Sequence, residues 1–229
     1  MHIPDGYLGP ATSGVMYAVM LPIWTFASRI VKKTLKARQV PLLAIGAAFS
    51  FVIMMFNVPI PGGSTGHAVG GVLVAILLGP WAACIAITVA LVIQALLFGD
   101  GGITAIGANC FNMAFVLPFI GYYTYRLVSV GSPVGSNRRV VAAGVAAYLG
   151  LNIAALCAGI EFGLQPLFHH TASGQALYCP YGLNVAVPAM LGEHILIFGW
   201  VEAIVTAFVV KYLQKQDSSL LEAGEEAPL

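Results

Sequence analysis

Charge is what this sequence has least of. Only 8% of its 229 residues are charged, ten Lys or Arg and nine Asp or Glu, where a soluble domain carries about a quarter. That scarcity excludes a soluble fold, and a formal net charge of +1 leaves no basic surface for nucleic acid. Cysteine is sparse too: Cys84, Cys110, Cys157 and Cys179 form no C-x-x-C pair, which removes the usual metal and redox spacings. The chain has no G-x-x-x-x-G-K-[ST] phosphate loop and no His-Glu-x-x-His, so neither ATP hydrolysis nor membrane zinc proteolysis is encoded. What is present is apolar, 59% hydrophobic with mean hydropathy +0.89. The composition is that of an all-α integral membrane protein.

Apolar runs bounded by Pro/Gly clusters and charges predict about seven transmembrane helices, near 11–30, 40–57, 67–78, 81–98, 109–127, 139–163 and 185–212. With the N-terminus outside and the C-terminus cytoplasmic, all ten basic residues fall on the inner side. They are Arg29, Lys32, Lys33, Lys36 and Arg38, then Arg126, Arg138 and Arg139, then Lys211 and Lys215. Residues 1–213 read as one transmembrane domain in which residues 1–10 fold back into the bundle, and 214–229 as a disordered cytoplasmic tail, acidic over Glu222–Glu226. The start, Met1-His2-Ile3-Pro4-Asp5-Gly6, has no basic n-region and is expected to be mature sequence. His2 is a bulky second residue that protects Met1 and its free amine.

That amine matters because of its neighbour. The Met1 amine and the His2 amide nitrogen close a five-membered ring on a metal; the amide and the His2 imidazole Nδ1 close a six-membered one. Three nitrogens in a plane leave one position open. A deprotonated amide suits square-planar Ni(II) or Cu(II) and suits tetrahedral zinc poorly. His67, at the outer end of the third predicted span, is the candidate fourth donor, flanked by Gly62, Gly63, Gly66, Gly70 and Gly71 that permit close backbone approach. A ligating histidine usually gives its other ring N–H to an acceptor. Asp5, Ser64, Thr65, Asp100, Thr104, Asn109 and Asn112 lie on the right side for that, and spacing does not choose among them.

Other polar residues stand out against the apolar background. Glu161, Glu193, His194 and Glu202 fall inside predicted spans, where ionisable groups are rare; for Glu202 helix-to-helix hydrogen bonding outweighs transport chemistry. His169-His170 reads as a solvated loop pair before it reads as a second metal site. Cys110 and Cys179 could both face outward, with little to argue for a disulfide. Ala142, Ala146, Gly150, Ala154 and Ala158 form a stripe of small residues at every fourth position, suited to close helix packing within the bundle or against a partner.

Met1-His2-Ile3-Pro4-Asp5-Gly6-Tyr7-Leu8, Gly63-Ser64-Thr65-Gly66-His67-Ala68-Val69-Gly70-Gly71 and Gln94 through Ala105 resemble the CbiM/NikM family. These are the nickel/cobalt substrate-specific subunits of energy-coupling factor ABC transporters. The resemblance covers the whole membrane part. It implies capture of Ni(II) or Co(II) outside the cell of a prokaryote, in its plasma membrane. The implied ligands are Met1, His2 and His67, and no organic cofactor is implied. It also implies partners: a transmembrane coupling subunit, a pair of cytoplasmic ATPases and room for a small accessory membrane subunit. Ligand chemistry favours nickel over cobalt. An independent secondary metal transporter is the alternative, and seven spans do not divide into the repeated halves such proteins use.

Overall fold

A computed structural model describes residues 1–60 and 64–225. Pro61, Gly62 and Gly63 lie outside the described residues, as does Glu226 of the acidic segment; Gly62 and Gly63 are two of the glycines expected to flank His67.

Proline and glycine punctuate the helices as their chemistry requires. α1 (Pro10–Thr34) and α2 (Val40–Met55) carry proline in the first turn, where the missing N–H costs nothing. A hairpin of β1 (Val58–Ile60) and β2 (Ser64–Gly66) follows, pairing Val58 with Gly66 and Ile60 with Ser64. α3 (Gly71–Leu78) ends at Gly79, whose φ of +86° turns the chain directly into α4. That helix runs over Pro80–Ile93 and continues through a π-helical stretch, Gln94–Phe98. α5 begins at Ile106–Asn109, widens into a second π-helical stretch, Cys110–Val116, and finishes as Leu117–Ser129. α6 spans Asn137–Gly163. α7 runs over Leu183–Glu193, a third π-helical stretch His194–Phe198, and Gly199–Gln216.

Each of the seven segments read from the sequence overlaps one of these helices. α1, α4, α6 with its extra turn to Phe168, and α7 are long and apolar enough to cross a membrane, and α2 is a shorter apolar helix. Their outward faces carry exposed apolar side chains such as Leu21, Phe26, Leu196 and Phe208, the surface of helices that meet lipid. α3 departs from the expectation. At eight residues it is about 12 Å long, short of the ~30 Å hydrocarbon layer, and all its residues are buried. His67, expected inside this span, precedes it in a non-helical segment. α3 is thus the hub of the bundle.

Because lipid is as apolar as a side chain, helices here associate through close packing. The small-residue stripe of α6 is spent on that: Ala142, Ala146, Gly150, Ala154 and Ala158 are all buried, and a Cβ added at Gly150 would sit 2.8 Å from the Leu117 carbonyl oxygen of α5. The C-terminal segment differs from the disordered tail expected. After α7 ends at Gln216, α8 (Ser219–Glu225) packs on α3 with Leu221 buried.

Candidate metal site at the N-terminus

Residues 1–9 enter the bundle as a plug, held at every level by backbone hydrogen bonds to loops and helix ends. Asp5 accepts from the Ile103 N–H (3.1 Å), the Thr104 N–H (2.8 Å) and the Thr104 hydroxyl (2.5 Å). Burial of its carboxyl is outweighed by these bonds, the Thr104 hydroxyl first, and its pKa falls below the ordinary value. Gly102 can approach this closely because it lacks a side chain; an added Cβ would lie 2.4 Å from the Asp5 nitrogen. The Ile3 N–H donates to Asn109 Oδ1 (2.8 Å), and the Ile3 carbonyl accepts from Asn109 Nδ2 (3.1 Å) and from the Gly102 N–H (2.8 Å). The Ser64 hydroxyl donates to the His2 carbonyl (3.2 Å). Further out, the Gly9 N–H donates to Gln165 and the Cys179 N–H to the Tyr7 carbonyl.

The tip of the plug is dry. Met1 and Ile3 are fully buried and His2 is 3% exposed. The His2 and His67 rings stack with centroids 4.6 Å apart, tilted by 33°, and the Met1 amine donates to Thr65 Oγ1 at 3.3 Å. Each ring has one nitrogen engaged and one bare. His2 Nε2 lies 3.1 Å from Gln94 Oε1, whose amide orientation is set by Gln94 Nε2 reaching the Phe51 carbonyl. Gln94 Oε1 can only accept, so Nε2 carries the proton. The lone pair is therefore on Nδ1, which is buried with no hydrogen-bond partner and stands 3.5 Å from Asp100 Oδ1. His67 shows the mirror case: Nδ1 donates to the Ala68 carbonyl (3.0 Å), and Nε2 is buried and bare.

Burial also strips these nitrogens of protons. Desolvation pulls the Met1 amine down to about 4, against the opposing pull of Glu193 and Asp100. Desolvation, then the amine's charge, takes His2 down to about 3, and the same causes hold His67 well below the ordinary histidine value. Asp100 is raised by burial, with the amine and Asn57 working the other way. Near neutral pH the tip therefore presents uncharged lone-pair nitrogens beside one carboxyl.

Of the residues expected to orient ligands, Ser64, Thr65 and Asp100 do reach Met1 or His2. Asn109, Asp5 and Thr104 instead fix the plug around Ile3 and Asp5. Asn112 lies elsewhere, donating to Glu161 at 2.8 Å. Two partners were not singled out by sequence: Gln94 on His2, and Asn57, which donates to Asp100 Oδ2 at 3.0 Å. A lone glutamine inside the apolar run of α4 was the available signal for the first. His169 and His170 diverge, to Thr12 and to the Thr171 carbonyl, and Cys110 and Cys179 are both unpaired. Among the described residues no three His, Cys, Asp or Glu side chains gather as a metal-binding group; a site here has to use the terminal amine and the backbone.

Residues 2–220 match the family model CbiM, a cobalt uptake substrate-specific transmembrane region. The chain belongs to the CbiM family. It is 56% identical over 228 residues to the fused nickel transport protein NikMN of Rhodobacter capsulatus, an alignment covering 100% of this chain and 65% of that protein. The chain thus spans about two thirds of the length of that fused relative. A crystal structure described as a transition metal transporter superposes with TM-score 0.90 at 55% identity, over 97% of this chain and 96% of that one. A more distant CbiM relative, 35% identical over 136 residues (58% of this chain and 55% of that protein), is the cobalt transport protein of a Roseiflexus species.

Proposed function

We propose that this CbiM-family chain is the metal-capturing membrane subunit of an energy-coupling factor importer and that it binds Ni(II) in a plane of four nitrogens. These are the Met1 amine, the His2 amide, His2 Nδ1 and His67 Nε2. One observation carries the reading: the two ring nitrogens this chelate needs are the two left bare, buried and proton-free. Elsewhere a bare buried polar atom costs about 1–3 kcal/mol, a cost that ligation would cancel. Charge supports it as well. A divalent ion, one amide anion and the Asp100 carboxylate sum to zero, which a dry site demands.

The plane favours low-spin Ni(II) over Co(II), and the 56% identity to a protein named for nickel points the same way. Co(II) is the alternative substrate, in keeping with the family's description. In this reading residues 1–213 act as one domain with seven membrane segments. The N-terminus is external, since that places all ten basic residues on the cytoplasmic side. With no ATPase motif, uptake depends on a coupling subunit and paired ATPases in the plasma membrane.

The test is to purify the protein with a C-terminal tag and, separately, with residues added before Met1, and to titrate both with Ni(II). The expected result is a diamagnetic, square-planar spectrum for the first and loss of tight binding for the second. Equal binding by both would sink the site.

A further inference from the structure

α7 meets the segment around His67 twice, once on each side of it. Before His67, the Phe198 ring lies against Gly66 so closely that an added Cβ would fall 2.0 Å from Cε2. After His67, the buried carboxylate of Glu202 accepts from the Val69 N–H at Oε2 (2.7 Å) and from the Gly70 N–H at both oxygens (2.9 Å each). Phe198 and Glu202 are four residues apart and so share one face of α7.

Packing bears on the segment as well, the His67 ring lying on His2 and Gly70 against Phe49 of α2. Residues 67–70 are non-helical and precede α3, with Gly70 left-handed at φ +75°, so their N–H groups have no helical carbonyl to bond. The one side-chain bond of His67 runs to its own neighbour, Ala68. That bond sets the tautomer and leaves the position of the ring in the bundle open. A carboxylate at the positive end of α3 makes strong, charge-assisted bonds to these N–H groups. The backbone on the far side of His67 is therefore anchored by hydrogen bonds to α7.

We propose that Glu202 is a positioning residue for the metal site: by clamping the Val69 and Gly70 N–H groups it fixes where His67 Nε2 stands relative to the Met1–His2 chelate. This inference rests on His67 being a ligand.

The experiment is a double-mutant cycle on the full, C-terminally tagged chain, read by Ni(II) titration and by the square-planar spectrum. Glu202→Ala should weaken binding about 10–100-fold, the usual effect of losing a residue that orients a ligand. Because it acts through His67, it should add less than about twofold in a His67→Ala background, the limit set by ordinary additivity error. Unchanged affinity in Glu202→Ala, or costs that add in the double variant, would overturn the proposal. Should Glu202→Ala not yield folded protein, Phe198→Ala loosens the other contact without stranding an N–H group. The same non-additivity with His67 supports the clamp, and additivity overturns it. If His67→Ala alone binds as tightly as the unmutated chain, the planar site itself fails and this inference falls with it.

Discussion

Residues 1–9 and α8 close on the two ends of the stretch from Ser64 to Leu78, and they do so by opposite means. At its start, the N-terminal plug and the 64–70 segment bring amide, imidazole, amine and carboxylate groups into a dry pocket, nearly all of them paired. At its end, α8 seals with apolar surface. Leu221 is 1% exposed, and Gly224 comes so near the Ile76 carbonyl that a Cβ there would overlap its oxygen. The Tyr122 hydroxyl also donates to the Gly224 carbonyl at 3.2 Å. The polar end leaves His2 Nδ1 and His67 Nε2 bare on two rings stacked beside the Met1 amine, and that convergence is what supports the proposed site.

The contrast can be tested by damaging each end and asking what metal binding notices. Gln94→Leu should have the largest effect: it frees the His2 ring to take the wrong tautomer, and Ni(II) affinity should drop about 10–100-fold by titration. Asn109→Ala removes both bonds to Ile3 and strands a buried N–H, a loss of about 1–3 kcal/mol in docking of the plug. It should appear as faster proteolysis of the metal-free N-terminus and a smaller fall in affinity. Leu221→Ala, at the other end, should lower thermal stability by the equivalent of about 2–5 kcal/mol while leaving affinity unchanged. Metal binding that falls with Leu221→Ala as it does with Gln94→Leu would erase the distinction between the two ends.

pH sharpens the same comparison. With the buried amine at about 4 and His2 at about 3, binding above roughly pH 5 should release only the amide proton, and calorimetry in buffers of different ionisation heat would count it. An amine left at its ordinary 8.0 would release a second proton. For the metal-free protein the sign is also set. The undocked amine takes up a proton as pH falls below 8 and the docked one does not until about 4. Docking should therefore be strongest above pH 8 and weaken steadily down to about 4, measured by protease protection of residues 1–9.

Much of the helical plan could be read from punctuation, because Pro10, Pro41, Gly79-Pro80 and the basic clusters act locally on the backbone. What escaped reading was non-local. The run from His67 to Leu78 is apolar enough to pass for a span, yet residues 67–70 stay outside the helix, where Glu202, more than a hundred positions away, accepts from the Val69 and Gly70 N–H groups. The three π-helical stretches have no local signature either, although Gln94, Asn112 and His194 all lie in them. The chelate proposed for Met1 and His2 could be framed from the sequence because the two are adjacent; the contacts around them could not, because they are assembled by packing.

The hydrogen bonds of the plug reach far along the chain, from Ile3 to Asn109 across 106 residues and from Gly9 to Gln165 across 156. None can form until those distant partners have been made and set in place. Residues 1–9 thus settle after the helices that carry these partners, since contacts of such separation close late in folding. A molecule that has formed the proposed pocket has, by that fact, already brought Asn109 and Gln165 into place.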